Sequence, residues 1–166
     1  MASVEERVEE YYKKVLDGFG IRYFSKTEEI NSTITKALKE ADSKSGNSGT
    51  NYPDIKLLLQ NKTRRDIPVM IEAKGSKNKL IKYTTNGDIE LISTGKNINR
   101  AVSQFAVNGA LHYGNAILQE GTYSEVIVIG INGTSLSDDG ILLNPECKAF
   151  YVSKQNDFLP KKIENF

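Results

Sequence analysis

The sequence predicts a mixed α/β fold, and three patterns carry that prediction. Two apolar runs, Asp54 to Gln60 and Ile67 to Lys74, flank a polar turn and predict a strand hairpin. Helical periodicity from Asn97 to Gln119 predicts a long helix, and the apolar run Glu125 to Ile131 predicts a buried strand after it. A strand that follows a helix in this way closes a crossover, which is expected to be right-handed.

The segment before the hairpin is predicted to be mainly helical. Ser3 to Phe19 carries apolar residues at helical spacing, and Ser3 with Glu6 three residues later forms a capping box. Ile21 to Lys26 is expected to be a short extended segment, and Glu29 to Ala41 a second helix. Two helices are therefore expected ahead of the hairpin.

The segments after the hairpin complete the predicted sheet. Leu80 to Ser93 is expected to form a strand pair or a loop, and Cys147 to Ser153 another buried strand. Asn132 to Pro145 is predicted to be a loop whose Asp138-Asp139-Gly140 makes a turn. The resulting order, αβββαβ, describes a mixed central sheet flanked by helices.

The domain organisation is predicted to be simple. Residues 1–154 are expected to form one domain. Gln155 to Phe166 loses periodicity and contains Pro160, so residues 155–166 are predicted to be a linker toward a missing C-terminal part.

Composition is that of an ordinary globular domain. The chain has 166 residues, of which 39% are hydrophobic and 26% charged. No apolar run approaches the roughly 20 residues that span a bilayer, and no leader pattern opens the chain, so no membrane association is expected. The single Cys147 and the single His112 exclude an internal disulfide and a Cys- or His-rich metal cluster. These features fit a cytoplasmic location.

Charged side chains stand at the end of the otherwise apolar second strand of the hairpin. Because side chains alternate along a strand, Glu72 and Lys74 face one side while Ala73 faces the other. Asp54 begins the first strand, and the hairpin therefore brings it beside the end of the second. Burying such charges costs several kcal/mol unless they pair or bind a cation. Two carboxylates and a lysine are expected to converge at one sheet edge.

A pair of carboxylates at one edge is the kind of oxygen-rich site that Mg²⁺ prefers. Asp54 and Glu72 are the candidate ligands, the backbone carbonyl of Ala73 is a third, and Mn²⁺ could substitute for Mg²⁺. Such a cation activates water and offsets charge on a phosphate, and Lys74 could serve that water or the transition state. The alternative is a surface salt bridge between Glu72 and Lys74, with Asp54 capping a turn.

The order of these residues resembles a known nuclease motif. Pro53-Asp54 followed by Glu72-Ala73-Lys74 resembles the motif of the PD-(D/E)-x-K nuclease superfamily. Two further blocks, Ala37 to Gly49 and Ala106 to Tyr113, resemble the N-terminal nuclease domain of single-chain restriction-modification enzymes. In those enzymes the nuclease is fused to an adenine methyltransferase and a target-recognition domain. The resemblance covers about Thr33 to Thr134 and implies a restriction-endonuclease-like core.

The resemblance also implies a role for the first helix. Nucleases of this superfamily often carry a further metal-associated glutamate there. Glu5 and Glu9 border the apolar stripe at 100° per residue, and Glu5 is predicted to take that role. Some relatives carry a Gln-x-x-x-Tyr motif on the long helix. This chain has Gln104 but carries Asn108 at the position of the tyrosine, so it departs from that motif. No catalytic role is assigned to His112 or Tyr113.

Basic side chains are concentrated around the hairpin although the net charge is only +1. Lys56 to Lys82 holds eight basic and two acidic residues, a local balance of +6. Phosphate contacts dominate affinity for nucleic acid, so a basic cluster beside carboxylates fits a DNA substrate, whereas a plain solvated face is the alternative. Asp42 to Asn51 is predicted to be a mobile loop that contacts DNA phosphate and orders on binding, with a plain connector as the alternative. The candidate DNA contacts are Lys44, Arg64, Arg65, Lys77 and Lys79.

Three functions fit these patterns. The leading prediction is a metal-dependent endonuclease that hydrolyses phosphodiester bonds in double-stranded DNA, as the cleavage domain of a restriction-modification enzyme. The same chemistry could serve a junction-resolving or DNA-end-processing nuclease. The chain could instead be a non-catalytic nucleic-acid-binding module. Cleavage of both strands by one such centre would call for two copies, so a homodimer is expected in that case.

Overall fold

A computed structural model describes residues 2–44 and 52–164, which form a mixed α/β fold with helices flanking a central sheet. The helices are α1 (Val4–Gly18), α2 (Ser32–Glu40), α3 (Arg100–Gln104) and α4 (Ala106–Glu120). The strands are β1 (Phe24–Ser25), β2 (Ile55–Gln60), β3 (Asp66–Lys74), β4 (Glu125–Asn132), β5 (Ser135–Leu136), β6 (Leu142–Leu143), β7 (Glu146–Ser153) and β8 (Lys161–Ile163).

Within the described residues the central sheet has six strands in the order β1-β2-β3-β4-β7-β8. Neighbouring strands run antiparallel except β3 and β4, which are parallel and are joined by the segment that contains α3 and α4. The predicted hairpin is confirmed as β2 and β3, and the predicted later strands as β4 and β7. The mixed α/β class predicted from the sequence is therefore confirmed, with a mostly antiparallel sheet.

Side-chain alternation on β3 separates two apolar cores, one on each face of the sheet. Met70 packs with Val128 and the apolar side of α4. Val69 and Ile71 pack on the opposite face with Val8 of α1. The structure thus confirms the predicted alternation, and it places the side of β3 that bears Glu72 under α4 (see Candidate active site).

The first helix begins as the sequence predicts. The Ser3 hydroxyl accepts a hydrogen bond from the backbone N–H of Glu6, and the Glu6 carboxylate accepts one from the backbone N–H of Ser3. These bonds satisfy backbone donors that a helix start leaves open. The capping box fixes where α1 starts.

The long helix predicted from Asn97 to Gln119 is wrong in one respect, because the chain breaks it at Phe105. That residue has extended dihedrals (φ −117°, ψ 137°) and separates α3 from α4. The backbone N–H groups of Ala106 and Val107 donate to the carbonyls of Lys79 and Leu80, 2.9 Å away in each case. A distant segment therefore caps α4, and the helix starts anew there.

Glycines allow α4 to lie close to the sheet. A Cβ added to Gly130 of β4 would lie 2.5 Å from the backbone nitrogen of Val107. A Cβ on Gly114 of α4 would lie 2.5 Å from a methyl group of Val128. The small residues of this helix therefore let it pack closely on the sheet, and Gly130 supplies the matching gap on the strand.

Two connecting segments differ in detail from the predictions. Leu80 to Ser93 contains a single β-bridge, between Tyr83 and Ile89, so it adds no strand to the central sheet. The loop predicted from Asn132 to Pro145 contains the small hairpin β5–β6, whose tip at Gly140 (φ 76°) is the predicted turn. The predicted third strand is therefore absent from the sheet of the described residues, and β1 adds one on the other side of the hairpin.

The C-terminal segment joins the sheet in the part that the structure describes. After a 3-10 turn at Lys154–Asn156, β8 pairs antiparallel with β7, which places residues 161–163 at the sheet edge. Residues 155–164, for which the sequence predicts a linker, thus pack against residues 1–154. A three-residue edge strand is too short to show periodicity, which is why the sequence pattern did not reveal it.

Among helices within the described ranges, none combines the length and the apolar character needed to cross a bilayer.

Candidate active site

The hairpin brings Asp54 and Glu72 together. Ile55 of β2 pairs with Ile71 of β3, and extending this register by one residue puts Asp54 opposite Glu72. Oδ2 of Asp54 accepts a hydrogen bond of 2.9 Å from the backbone N–H of Ala73. Both carboxylates are buried, with 3% of Asp54 and 1% of Glu72 exposed. The start of β2 and the end of β3 therefore lie side by side, as the sequence predicts.

Lys74 extends the same face of β3. It is half-buried, and its positive charge is one of the influences that lower the pKa of Glu72. Because residues two apart on a strand share a face, Lys74 follows Glu72 along the side that α4 covers. Asp54, Glu72 and Lys74 thus form one cluster, the candidate active site.

Each carboxylate of the candidate active site is paired with a lysine from another segment. Nζ of Lys26 lies 3.2 Å from Oδ1 of Asp54, and Nζ of Lys44 forms an ion pair with Oε2 of Glu72. The two lysines differ in exposure, because the Lys26 side chain is 55% exposed and that of Lys44 only 19%. Lys44, a predicted DNA contact, pairs with Glu72 in the structure. Lys26 was not singled out by the sequence.

Burial raises the proton affinity of the Glu72 carboxylate. Loss of solvent raises the pKa of Glu72 to about 7, and the negative charge of Asp54 adds to this rise, while Lys44 and Lys74 oppose it. Oε1 of Glu72 is buried and has no hydrogen-bond partner within the described part of the chain. A buried, unpartnered carboxylate oxygen is costly unless a proton or a cation satisfies it.

The first helix supplies a third acid, Glu9, which lies within the electrostatic reach of Asp54. Burial raises the pKa of Glu9, and the charge of Asp54 raises it further. Glu5 approaches the site through its backbone: a Cβ on Gly75, the residue after Lys74, would lie 2.4 Å from the backbone nitrogen of Glu5. The predicted acid, Glu5, lies one helical turn before Glu9.

The donor set fits a hard divalent cation. Asp54 and Glu72 supply carboxylate oxygens, of which Oε1 of Glu72 has no partner in the described part of the chain. The Ala73 carbonyl lies between Glu72 and Lys74 in the chain. Among the described residues, no three His, Cys, Asp or Glu side chains converge as a ready-made metal group. Mg²⁺ needs fewer protein ligands than that, since it keeps several waters and binds through one or two carboxylates.

A polar row that the sequence did not reveal continues from Lys74 across the sheet. Asn132 of β4 pairs with Lys74, and Glu146 of β7 pairs with Asn132. Nδ2 of Asn132 donates to the carbonyl of Ser76 at 2.9 Å and to Oε1 of Glu146 at 2.7 Å. Both partners are acceptors, so they fix the orientation of the amide. Asn132 thereby fixes the position of the backbone at Ser76, two residues after Lys74.

The helix α4 residues His112 and Tyr113 contact the segment that carries Lys44. Nε2 of His112 lies 2.8 Å from the backbone carbonyl oxygen of Asp42, and Nζ of Lys44 lies 5.2 Å from the centre of the Tyr113 ring. The two sequence blocks that flank the nuclease-like motif therefore contact each other through these residues. Positions 45–51 of the predicted loop Asp42 to Asn51 lie outside the described residues.

The predicted DNA contacts do not form one patch. Arg64 and Arg65 lie at the turn of the hairpin, where NH1 of Arg65 is 3.9 Å from Oε1 of Glu125. Strand rise puts that turn about 20 Å from Glu72. Lys77 and Lys79 follow Lys74 in the chain; Lys77 is exposed, and Nζ of Lys79 lies 3.2 Å from Oε1 of Gln104 and 4.7 Å from the centre of the Phe105 ring. The structure thus separates the two arginines from the carboxylates.

Comparisons of the chain with models of protein families, with curated proteins and with solved structures gave no match.

Proposed function

We propose that the chain is a metal-dependent DNA endonuclease with a restriction-endonuclease-like core. The observation that carries the proposal is the pairing of Asp54 with Glu72 at the end of the hairpin, with Lys74 on the same face as Glu72. Asp54 and Glu72 are buried at a position where a purely structural residue would be apolar. Oε1 of Glu72, which has no hydrogen-bond partner among the described residues, supports a ligand at this place.

The residues of the candidate active site divide the work. Asp54, Glu72 and the Ala73 carbonyl hold Mg²⁺ or Mn²⁺, which when bound supplies an activated water and charge compensation for a phosphodiester in reaction. The hydrogen bond from Ala73 N–H orients Asp54. Lys74 orients the attacking water or stabilises the negative charge of the transition state. Glu9 adds negative potential on the α1 side of the site.

Double-stranded DNA is the proposed substrate, and Lys77 and Lys79 are the proposed backbone contacts at the candidate active site. A lysine contact to phosphate carries affinity without sequence information. Sequence recognition is accordingly assigned to other parts of the proposed parent chain, a methyltransferase and a target-recognition domain. Cleavage of both strands is assigned to a homodimer, since each copy brings one candidate active site.

Nicking of supercoiled plasmid with Mg²⁺ tests the proposal. The wild-type chain is expected to convert supercoiled plasmid to open circles, and EDTA is expected to stop the reaction. Glu72→Gln and Lys74→Ala are each expected to slow nicking by about 100-fold or more. Lys62→Ala, which removes an exposed lysine at the far end of the hairpin, is the matched control and should nick at the wild-type rate. Wild-type nicking by Glu72→Gln or Lys74→Ala would contradict the proposed roles.

A non-catalytic nucleic-acid-binding module is the second candidate, and the two lysine pairs favour it. Lys26 and Lys44 already neutralise part of the negative charge of Asp54 and Glu72, as in a site that stays closed to cations. Calorimetric titration with Ca²⁺ separates the candidates. Binding that Glu72→Gln abolishes supports the nuclease, whereas DNA binding without carboxylate-dependent Ca²⁺ binding supports the module.

A further inference from the structure

We propose that Lys44 is an internal counter-ion of the candidate active site, which competes with the divalent cation and leaves Glu72 when the cation binds. This inference rests on the proposed function, because it assigns a role in cation binding at the same site. It gives Lys44 a task that differs from the DNA contact that the sequence predicted.

The ammonium group of Lys44 occupies a built pocket. It forms an ion pair with Oε2 of Glu72, a residue that is only 1% exposed, and it lies 5.2 Å from the centre of the Tyr113 ring. The pocket floor is Gly109 of α4, where an added Cβ would lie 3.3 Å from Cδ of Lys44 and 3.4 Å from Cγ of Glu72. A carboxylate, an aromatic face and a small residue together make a site for one cation.

The backbone of the Lys44 segment is anchored independently of this pocket. Nε2 of His112 lies 2.8 Å from the carbonyl oxygen of Asp42, two residues before Lys44. This contact keeps the segment against α4. The Lys44 side chain has a flexible four-carbon stem, so its ammonium group can reach Glu72 or move away from it. The ammonium can therefore be displaced without undocking the segment.

Electrostatics make the ammonium and a divalent cation compete. The Lys44 ammonium and the divalent cation both bind the oxygens of Glu72. Positive charges a few ångströms apart in a partly buried site repel each other strongly. Lys26, which pairs with Asp54, can move into water because its side chain is 55% exposed. The Lys44 side chain is only 19% exposed, so it must break its buried ion pair before a cation can replace it. Lys44 is therefore the lysine that opposes cation binding.

Ca²⁺ titration of the full chain by calorimetry tests the inference at pH 9, where protons compete little for Glu72. Lys44→Met is expected to bind Ca²⁺ about tenfold more tightly than the wild type, because the internal competitor is gone. Lys36→Met is the matched control: it removes the same charge from an exposed position of α2, where Lys36 pairs with Glu40 at 3.9 Å. Its Ca²⁺ affinity should stay within about twofold of the wild type.

Thermal unfolding supplies a second measurement. Without Ca²⁺, Lys44→Met is expected to unfold at a lower temperature than the wild type, because Glu72 loses its ion pair. Saturating Ca²⁺ should raise the unfolding temperature of Lys44→Met more than that of the wild type. An ion pair with a structural role alone would lower the temperature by the same amount with and without Ca²⁺.

The outcomes separate the inference from the proposed function. Ca²⁺ binding by the wild type that Lys44→Met leaves unchanged or weakens overturns the competition and leaves the nuclease proposal standing. Failure of both the wild type and Lys44→Met to bind Ca²⁺ overturns the cation site, and the proposed function with it.

Discussion

The backbone N–H of Ala73 donates a hydrogen bond of 2.9 Å to Oδ2 of Asp54. This bond links the two halves of the nuclease-like motif directly, since Ala73 lies between Glu72 and Lys74. The strand that carries Glu72 therefore also orients the carboxylate of Asp54, and the relative position of the two acids is set by the hairpin itself. A change at Asp54 has two separable effects, one on this hydrogen bond and one on charge.

Two substitutions of Asp54 separate these effects. Asp54→Ala leaves the buried N–H of Ala73 without its acceptor and is expected to lower the free energy of unfolding by about 1–3 kcal/mol. Asp54→Asn keeps an acceptor oxygen and is expected to stay within about 1 kcal/mol of the wild type. Both should lose Ca²⁺ binding, because the charge is gone. Urea unfolding and Ca²⁺ calorimetry on the same samples provide the measurements. Equal stability of the two variants would contradict the role of the hydrogen bond.

The raised pKa of Glu72 predicts how stability depends on pH without divalent cations. Its pKa is about 7 in the folded chain against an ordinary value of 4.5, so the folded state binds more protons between these values. The free energy of unfolding is therefore expected to fall as pH rises from about 4.5 to about 7. The contribution of this carboxyl is up to about 3 kcal/mol. Urea unfolding in EDTA at pH 5 and pH 8 measures the difference.

Substitution of Glu72 identifies the source of that pH dependence. Glu72→Gln cannot ionise, so the fall in stability between pH 5 and pH 8 should shrink and leave the smaller fall of the same sign expected from Glu9, whose pKa is also raised. Glu40→Gln, which removes an exposed carboxylate from α2, is the control and should keep the wild-type profile. A Glu72→Gln profile identical to that of the wild type would show that Glu72 is ionised throughout this range.

The gap at Gly130 predicts a large response to one methyl group. Gly130→Ala would place a Cβ 2.5 Å from the backbone of Val107, so α4 must move away from the sheet. Overpacking of this kind costs about 1–3 kcal/mol. Gly18→Ala is the matched control at the end of α1, where no atom of the described residues lies within 4 Å of an added Cβ, and it should leave stability unchanged or slightly raised. Urea midpoints compare the two variants, and equal midpoints would contradict the close approach of α4.

Local patterns explain which parts of the fold were predicted from the sequence. The hairpin of β2 and β3 was predicted because its alternation and its turn residues lie within one short stretch. The break at Phe105 was missed because apolar periodicity continues through it, whereas the acceptors that restart the helix, the carbonyls of Lys79 and Leu80, come from a distant segment. Short edge strands such as β8 were missed because three residues show no period.

In the candidate active site, too, the sequence predicts the residues that a local pattern relates and misses those that tertiary packing brings in. Asp54, Glu72 and Lys74 were predicted together because the hairpin register relates them. The pairs made by Lys26 and Lys44 depend on how the segments around α2 dock on the sheet, which no local pattern records. Along α1 the spacing places both Glu5 and Glu9 beside the apolar stripe, whereas the influence of Asp54 on Glu9 depends on how the helix docks on the sheet.

The separation of the basic residues predicts two different responses to DNA. Lys77→Ala and Lys79→Ala are each expected to weaken DNA binding and to reduce the slope of log affinity against log salt by about 0.9, the effect of one lost phosphate contact. Arg64→Ala and Arg65→Ala serve as controls, because the hairpin turn places them about 20 Å from Glu72 by strand rise. Fluorescence anisotropy of a labelled duplex with Ca²⁺ at several salt concentrations measures both quantities. A loss of affinity confined to the arginine variants would place the DNA at the hairpin turn and away from the carboxylates.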